Sequence, residues 1–95
     1  MAAITGCTAQ QALPNAGYKI LVITTPATAD SADTIDVSST TATGGETFAT
    51  IYGVIGAFDN TTGDAVTATW STTTITIDAA GGTTNHTYRI VVMGI

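Results

Sequence analysis

The chain has 95 residues with 2 cationic and 7 acidic side chains, a net charge of −5 and charged residues at 9%, against about 25% in an ordinary soluble domain. That length fits one small domain. Two cations, Lys19 and Arg89, cannot neutralise a phosphate backbone or hold an anionic lipid surface, so neither nucleic acid nor membrane is expected as a partner. No run of 18 apolar residues is present to span a bilayer as a helix.

Thr, Ile and Val supply 38 of the 95 residues, while the chain has 2 Leu, 1 Glu and 1 Lys. Branching at Cβ stiffens the side chain and suits a pleated sheet; the good helix formers are almost missing. The composition predicts an all-β domain. Residues 1–17 stand apart, with Ile4 and Leu13 as their only large aliphatics. They read as an irregular arm or short edge strand lying on something else, and residues 18–95 as a single β domain. The stretch MAAITG lacks a basic segment followed by a long apolar core, so no secretory signal is expected. Cys7 stands alone and forms no internal disulfide.

Tyr18 to Thr25 is the first strand, with Ile20 and Val22 on one face and Leu21 and Ile23 on the other, which predicts cover on both faces. Pro26 ends it. Asp33 to Ser39 alternates with Ile35 and Val37 inward. Residues 40–46, with Gly44-Gly45, read as a flexible loop. Phe48 to Phe58 is the longest apolar run: Phe48, Tyr52, Val54 and Phe58 share one parity, Ile51 and Ile55 the other. Its interior Gly53 and Gly56 suggest a bulge, a bend or a close approach by another backbone. After the turn DNTTGD, Ala65–Ser71 and Thr73–Asp78 form a hairpin around Ser71-Thr72, with Val66, Ala68 and Trp70 inward. Beyond a Gly81-Gly82 turn, His86 to Met93 closes the series, with Tyr88, Ile90 and Val92 on one face and Arg89, Val91 and Met93 on the other. The expected fold is a small antiparallel β-sandwich or β-barrel of about six strands with an N-terminal arm. A sandwich covers one face of each sheet, so the strands apolar on both faces call for a neighbouring subunit.

Little in this sequence carries reaction chemistry. His86, the only histidine, needs an orienting acid or a nucleophile and reads instead as a solvated loop residue. Cys7 has no visible base to activate it and reads as a small buried thiol. Asp30, Asp33 and Asp36, then Asp59 and Asp64, could supply calcium oxygens, but their spacing matches no metal loop and turn capping accounts for them. Asn60-Thr61-Thr62 and Asn85-His86-Thr87 fit the glycosylation pattern by chance in so Thr-rich a chain. The outward Thr67, Thr69, Thr74 and Thr76 form hydroxyl rows like those of ice-binding surfaces, yet cross-strand threonine pairs stabilise sheets in any case. No catalytic residue, cofactor or metal site is expected.

Through TTPATADSADTIDVSS, FATIYGVIGAF, AVTATWSTTTITID and TYRIVVMGI, the sequence resembles small virion proteins of tailed bacteriophages, the head decoration (cement) and minor structural proteins. The resemblance implies a non-enzymatic protein, made in the host cytoplasm, that sits on the outer surface of the capsid and stabilises it. Its implied partners are the major capsid protein and further copies of itself, as a trimer rather than a dimer. The arm would supply part of the docking surface, through Ile4, Cys7, Leu13 and Tyr18. Two alternatives remain: a tail, neck or fibre subunit, and a receptor- or glycan-binding module using Trp70, Tyr52 and Tyr88 if they are exposed.

Overall fold

The β-branched bias resolves, in a computed structural model that describes residues 2–11, 17–79 and 84–95, into seven strands and one short helix. They are β1 (Thr8–Gln11), β2 (Lys19–Thr24), β3 (Thr34–Asp36), α1 (Thr40–Thr43), β4 (Ile51–Asp59), β5 (Thr67–Ser71), β6 (Thr74–Asp78) and β7 (Tyr88–Gly94). Two antiparallel sheets result, one ordered β1-β2-β7-β4 and the other β3-β6-β5. Leu21, Ile23, Ile90 and Val92 from the first sheet and Ile35, Ile75 and Ile77 from the second are fully buried in a shared core. This is a small all-β sandwich, one of the two architectures the alternation predicts. Its two sheets are laced at both sides, by a bridge of Ala3 to Thr34 and another of Phe58 to Ala65.

The arm lies on the chain's own body. The amide of Ile4 donates to the Thr34 carbonyl (2.8 Å) and that of Thr34 to Ala2 (2.9 Å), while Gly6 and Cys7 donate to the carbonyls of Thr41 and Ala42 (3.0 Å each). β1 then pairs with β2 as an edge strand, the seventh in the fold.

Residues 40–46 correct the expectation of a loop, because 40–43 form α1. Ser39 caps its start, with Oγ accepting from the Ala42 amide, and Gly44 ends it at φ 80° in the left-handed region. These are ordinary helix start and stop signals. The three threonines among its four residues hide them, since threonine favours a helix only weakly.

β4 corrects a second expectation. Its pairing with β7 slips between Ile51 and Gly53 and again between Val54 and Gly56. Each slip is a β-bulge that resets the alternation. Ile51, Val54 and Ala57 therefore all pair with inward positions of β7, and Phe58 pairs with outward Arg89. Tyr52 and Ile55 are the extra residues, at 52% and 59% exposure. Phe48 lies before the strand and is buried.

The β5–β6 hairpin closes on the pair Ser71 and Thr74, with Thr72 at φ 59°. A β-branched residue in that region is strained by about 1–3 kcal/mol. Thr72→Gly is expected to stabilise the domain by about 1 kcal/mol after the entropy of the new glycine is counted, which thermal melting registers as a rise of about 4–8 °C.

Candidate functional site

The exterior of the four-stranded sheet is built by residues of opposite parity to the core. Across it run the rows Thr8–Thr24–Arg89–Phe58 and Gln10–Val22–Val91–Gly56, then Ile20–Met93–Gly53. Ile20, Val22, Val91 and Met93 are only half-buried. The double-sided apolar strands expected from the sequence are thus real, and no layer of the described residues covers their second face. A shallow depression of about 430 Å³ lies there, lined by Thr8, Gln10, Val22, Thr24, Arg89 and Val91. Arg89 is exposed. Among the described residues its side chain makes no ion pair or hydrogen bond. The other cation, Lys19, turns inward instead. It donates to Glu46 Oε2 (3.1 Å) and to the Thr47 carbonyl, 5.2 Å from the centroid of the Phe48 ring.

The exterior of the three-stranded sheet is its chemical opposite. Cross-strand pairs set Thr34, Thr76 and Thr69 in one row and Asp36, Thr74 and Ser71 in the next. Asp36 accepts from Ser38 Oγ (2.6 Å), the Ser38 amide (3.0 Å) and Thr73 Oγ1 (3.1 Å). Those hydrogen bonds, from Ser38 above all, hold its carboxyl below the usual carboxylate range.

Two further carboxylates hold turns and loops through backbone amides. Asp33 accepts from the amides of Ala2 (3.0 Å) and Asp30 (2.9 Å), and Asp30 from that of Asn85 (2.8 Å). Among the described residues, no three His, Cys, Asp or Glu groups converge as a metal site would require. None of the helices there is long and apolar enough to cross a membrane.

His86 is not the solvated loop residue expected. Its Nδ1 lies 2.6 Å from Oδ2 of buried Asp59, 27 positions earlier. Asp59 also accepts from the amides of Thr61 (2.9 Å) and Thr62 (3.3 Å). Burial pushes the Asp59 carboxyl up, but the imidazole and the two amides outweigh it and leave it below the ordinary value of 3.8. No signal in the sequence pairs these two residues, because the contact depends on the DNTTGD turn folding against the start of β7. Among the described residues, no hydroxyl or thiol hydrogen-bonds to His86. The role of the pair is to pin the turn. A carboxyl depressed by folding contributes stability above its unfolded pKa and loses that contribution as the pH falls through the folded one. Thermal melts between pH 7 and 2 should therefore show the native protein losing stability below about pH 4, with a shallower loss in Asp59→Asn, which starts from a lower plateau.

The four residues expected to dock a partner scatter. Ile4 and Cys7 are buried in this chain's own core, at 8% and 3% exposure, and are not presented outward. Tyr18 is exposed, and Leu13 lies outside the described residues. Desolvation pushes the Cys7 thiol up to about 11, against a weaker opposing backbone hydrogen bond. Iodoacetamide at pH 8 is thus expected to leave native Cys7 unmodified for hours and to label it within minutes in denaturant, as mass spectrometry would show. Linkage runs opposite to Asp59: the neutral thiol is compatible with the fold up to about pH 9, and stability falls as the pH rises from there toward 11.

Trp70 corrects another expectation, being 43% exposed. It pairs opposite fully buried Ile75 and so stands on the core side, but β5 is the outermost strand of its sheet. Alternation assigns a face; it says nothing of how far a strand end projects past the layer that covers it. Tyr88 is fully buried and cannot stack on a sugar. Scans of the chain against protein-family models, curated proteins and solved structures give no match.

Proposed function

We propose that this chain is a non-enzymatic structural subunit of a virion: a head decoration protein that attaches to the outer surface of a tailed-phage capsid and stabilises it. The observation that carries this reading is the uncovered apolar exterior of the four-stranded sheet. It is half of an interface on a chain with almost no ionisable groups to spend on catalysis. Short threonine, valine and alanine side chains lose little rotamer freedom on ordering, which favours dense assembly. Many copies on one shell let each contact be weak. Attachment would be to the major capsid protein, with self-association into a trimer at a lattice point. Heads assembled from the major capsid protein encoded alongside this chain provide the test. The purified chain should co-sediment with them, raise their disruption temperature, and appear on their outer surface by electron microscopy. Density at the tail, neck or fibre would move the assignment there, and no association with either would overturn it.

Exposed Trp70 and Tyr52 favour a second reading, a receptor- or glycan-binding module. A glycan array with native chain and Trp70→Ala separates the two, since signal lost in the variant is expected only for a sugar-stacking indole.

A further inference from the structure

We infer that the exterior of the four-stranded sheet receives an extended segment of a different protein, one that lays apolar side chains along Val22, Val91 and Met93 and sets a carboxylate against Arg89. The identity of that protein as a capsid component rests on the reading above; the chemistry of the face does not.

The first ground is a missing row of side chains. Beside Val91 and Met93, the positions that β4 turns outward are Gly56 and Gly53. A Cβ built on Gly53 meets nothing within 4 Å, so neither packing nor φ requires glycine there. Glycine inside a strand commonly marks a place where another backbone approaches. At Gly53 it leaves open space beside half-buried Met93, while at Gly56 a Cβ would meet the exposed Phe58 ring at 3.4 Å, so that ring flanks the space.

Charge is the second ground. All seven acids are among the described residues, and none lies on this face: Asp59 points inward, Glu46 holds Lys19, and the others belong to the second sheet or to turns. Arg89 is therefore the lone charge on a face of apolar and uncharged polar side chains, in an acidic protein. A guanidinium in that setting is matched by a carboxylate, held by two parallel hydrogen bonds.

A second copy does not supply the match. Two of these faces packed about a two-fold axis would bring together two Arg89 side chains and no acid. The other exterior offers Asp36 and Asp78, but among threonines and serine with no apolar side chain to cover Val22 or Val91. Four strands about 4.8 Å apart and six residues at about 3.3 Å give a footprint near 400 Å², about half of what one side of a stable interface buries. The contact is thus weak singly and effective in a repeated array.

The test is an amide NMR titration of the full chain with two synthetic seven-residue peptides, Thr-Val-Thr-Val-Glu-Val-Thr and its Glu-to-Lys counterpart. Shifts should concentrate on Val22, Thr24, Arg89 and Val91, with the Lys peptide at least 10-fold weaker. Arg89→Gln should erase that preference. Gly53→Val should weaken both peptides without lowering the melting temperature. Shifts on other surfaces, equal binding of the two peptides, or a dimer in sedimentation equilibrium that Gly53→Val dissociates would each overturn the inference. Assembled heads separate it from the functional reading. If the peptides behave as expected but the native chain ignores heads, the capsid assignment falls and the docking face stands. If heads bind the native chain, Arg89→Gln and Gly53→Val equally, the face is wrong and the assignment stands.

Discussion

Gly44→Ala is expected to cost about 3 kcal/mol, two separate effects acting at one atom. Gly44 sits at φ 80°, where a side chain costs about 1–2 kcal/mol. A methyl there would also collide with the carbonyl oxygen of Cys7, and relieving such an overlap by moving backbone costs a similar amount or more. The only escape is to push α1 away from the arm, which breaks the bonds from Gly6 and Cys7 to Thr41 and Ala42. Against a total stability of about 5–15 kcal/mol this is severe, a fall of more than about 10 °C in melting temperature. Gly45→Ala, one residue on, meets open space at an ordinary φ and should be nearly silent. Equal losses from both variants would show that the helix end, not the Cys7 contact, governs the site.

Phe48→Ala should cost about 3–5 kcal/mol, the usual range for deleting a buried aromatic ring. Phe48 is 1% exposed and closes one end of the sandwich, its amide bonded to the Val37 carbonyl (2.8 Å) and its ring beneath Lys19. A side chain at Gly94 would collide with the Thr50 carbonyl oxygen and then with this ring, so the backbone before β4 and Phe48 together hold that position to glycine. Phe48→Leu is expected to lose less, near 1–2 kcal/mol, since it leaves a smaller cavity. Urea unfolding followed by circular dichroism orders the three proteins. If alanine and leucine behave alike, the ring is not filling the volume assigned to it.

The sheet content was legible because period-two patterns survive in β2, β3, β6 and β7, where Ile35, Ile75, Ile77, Ile90 and Val92 all point inward as their spacing requires. β4 defeated the same rule. Two bulges shift its parity, and although Gly53 and Gly56 hinted at irregularity, a glycine marks where a ladder slips without giving the direction. The candidate site divides in the same way. Ile20 and Val22 against Leu21 and Ile23 already announced a second apolar face. Arg89 as its lone cation, and His86 on Asp59, needed three-dimensional neighbours that no local pattern encodes. The arm divides likewise: its reading as a short edge strand holds in β1, whereas Ile4 and Cys7, too few to build a core, complete the one the strands supply.

β7 follows β2 and β4 in the chain, yet lies between them in the sheet. During synthesis those two strands emerge with no common neighbour, each rich in β-branched residues and each with an unsatisfied ladder. The larger sheet can form only once β7 has been made, so it rests on contacts distant in sequence, which makes folding slow. In that interval the unpaired strands are sticky, and any cell producing the protein in quantity must keep it from aggregating until β7 is in place.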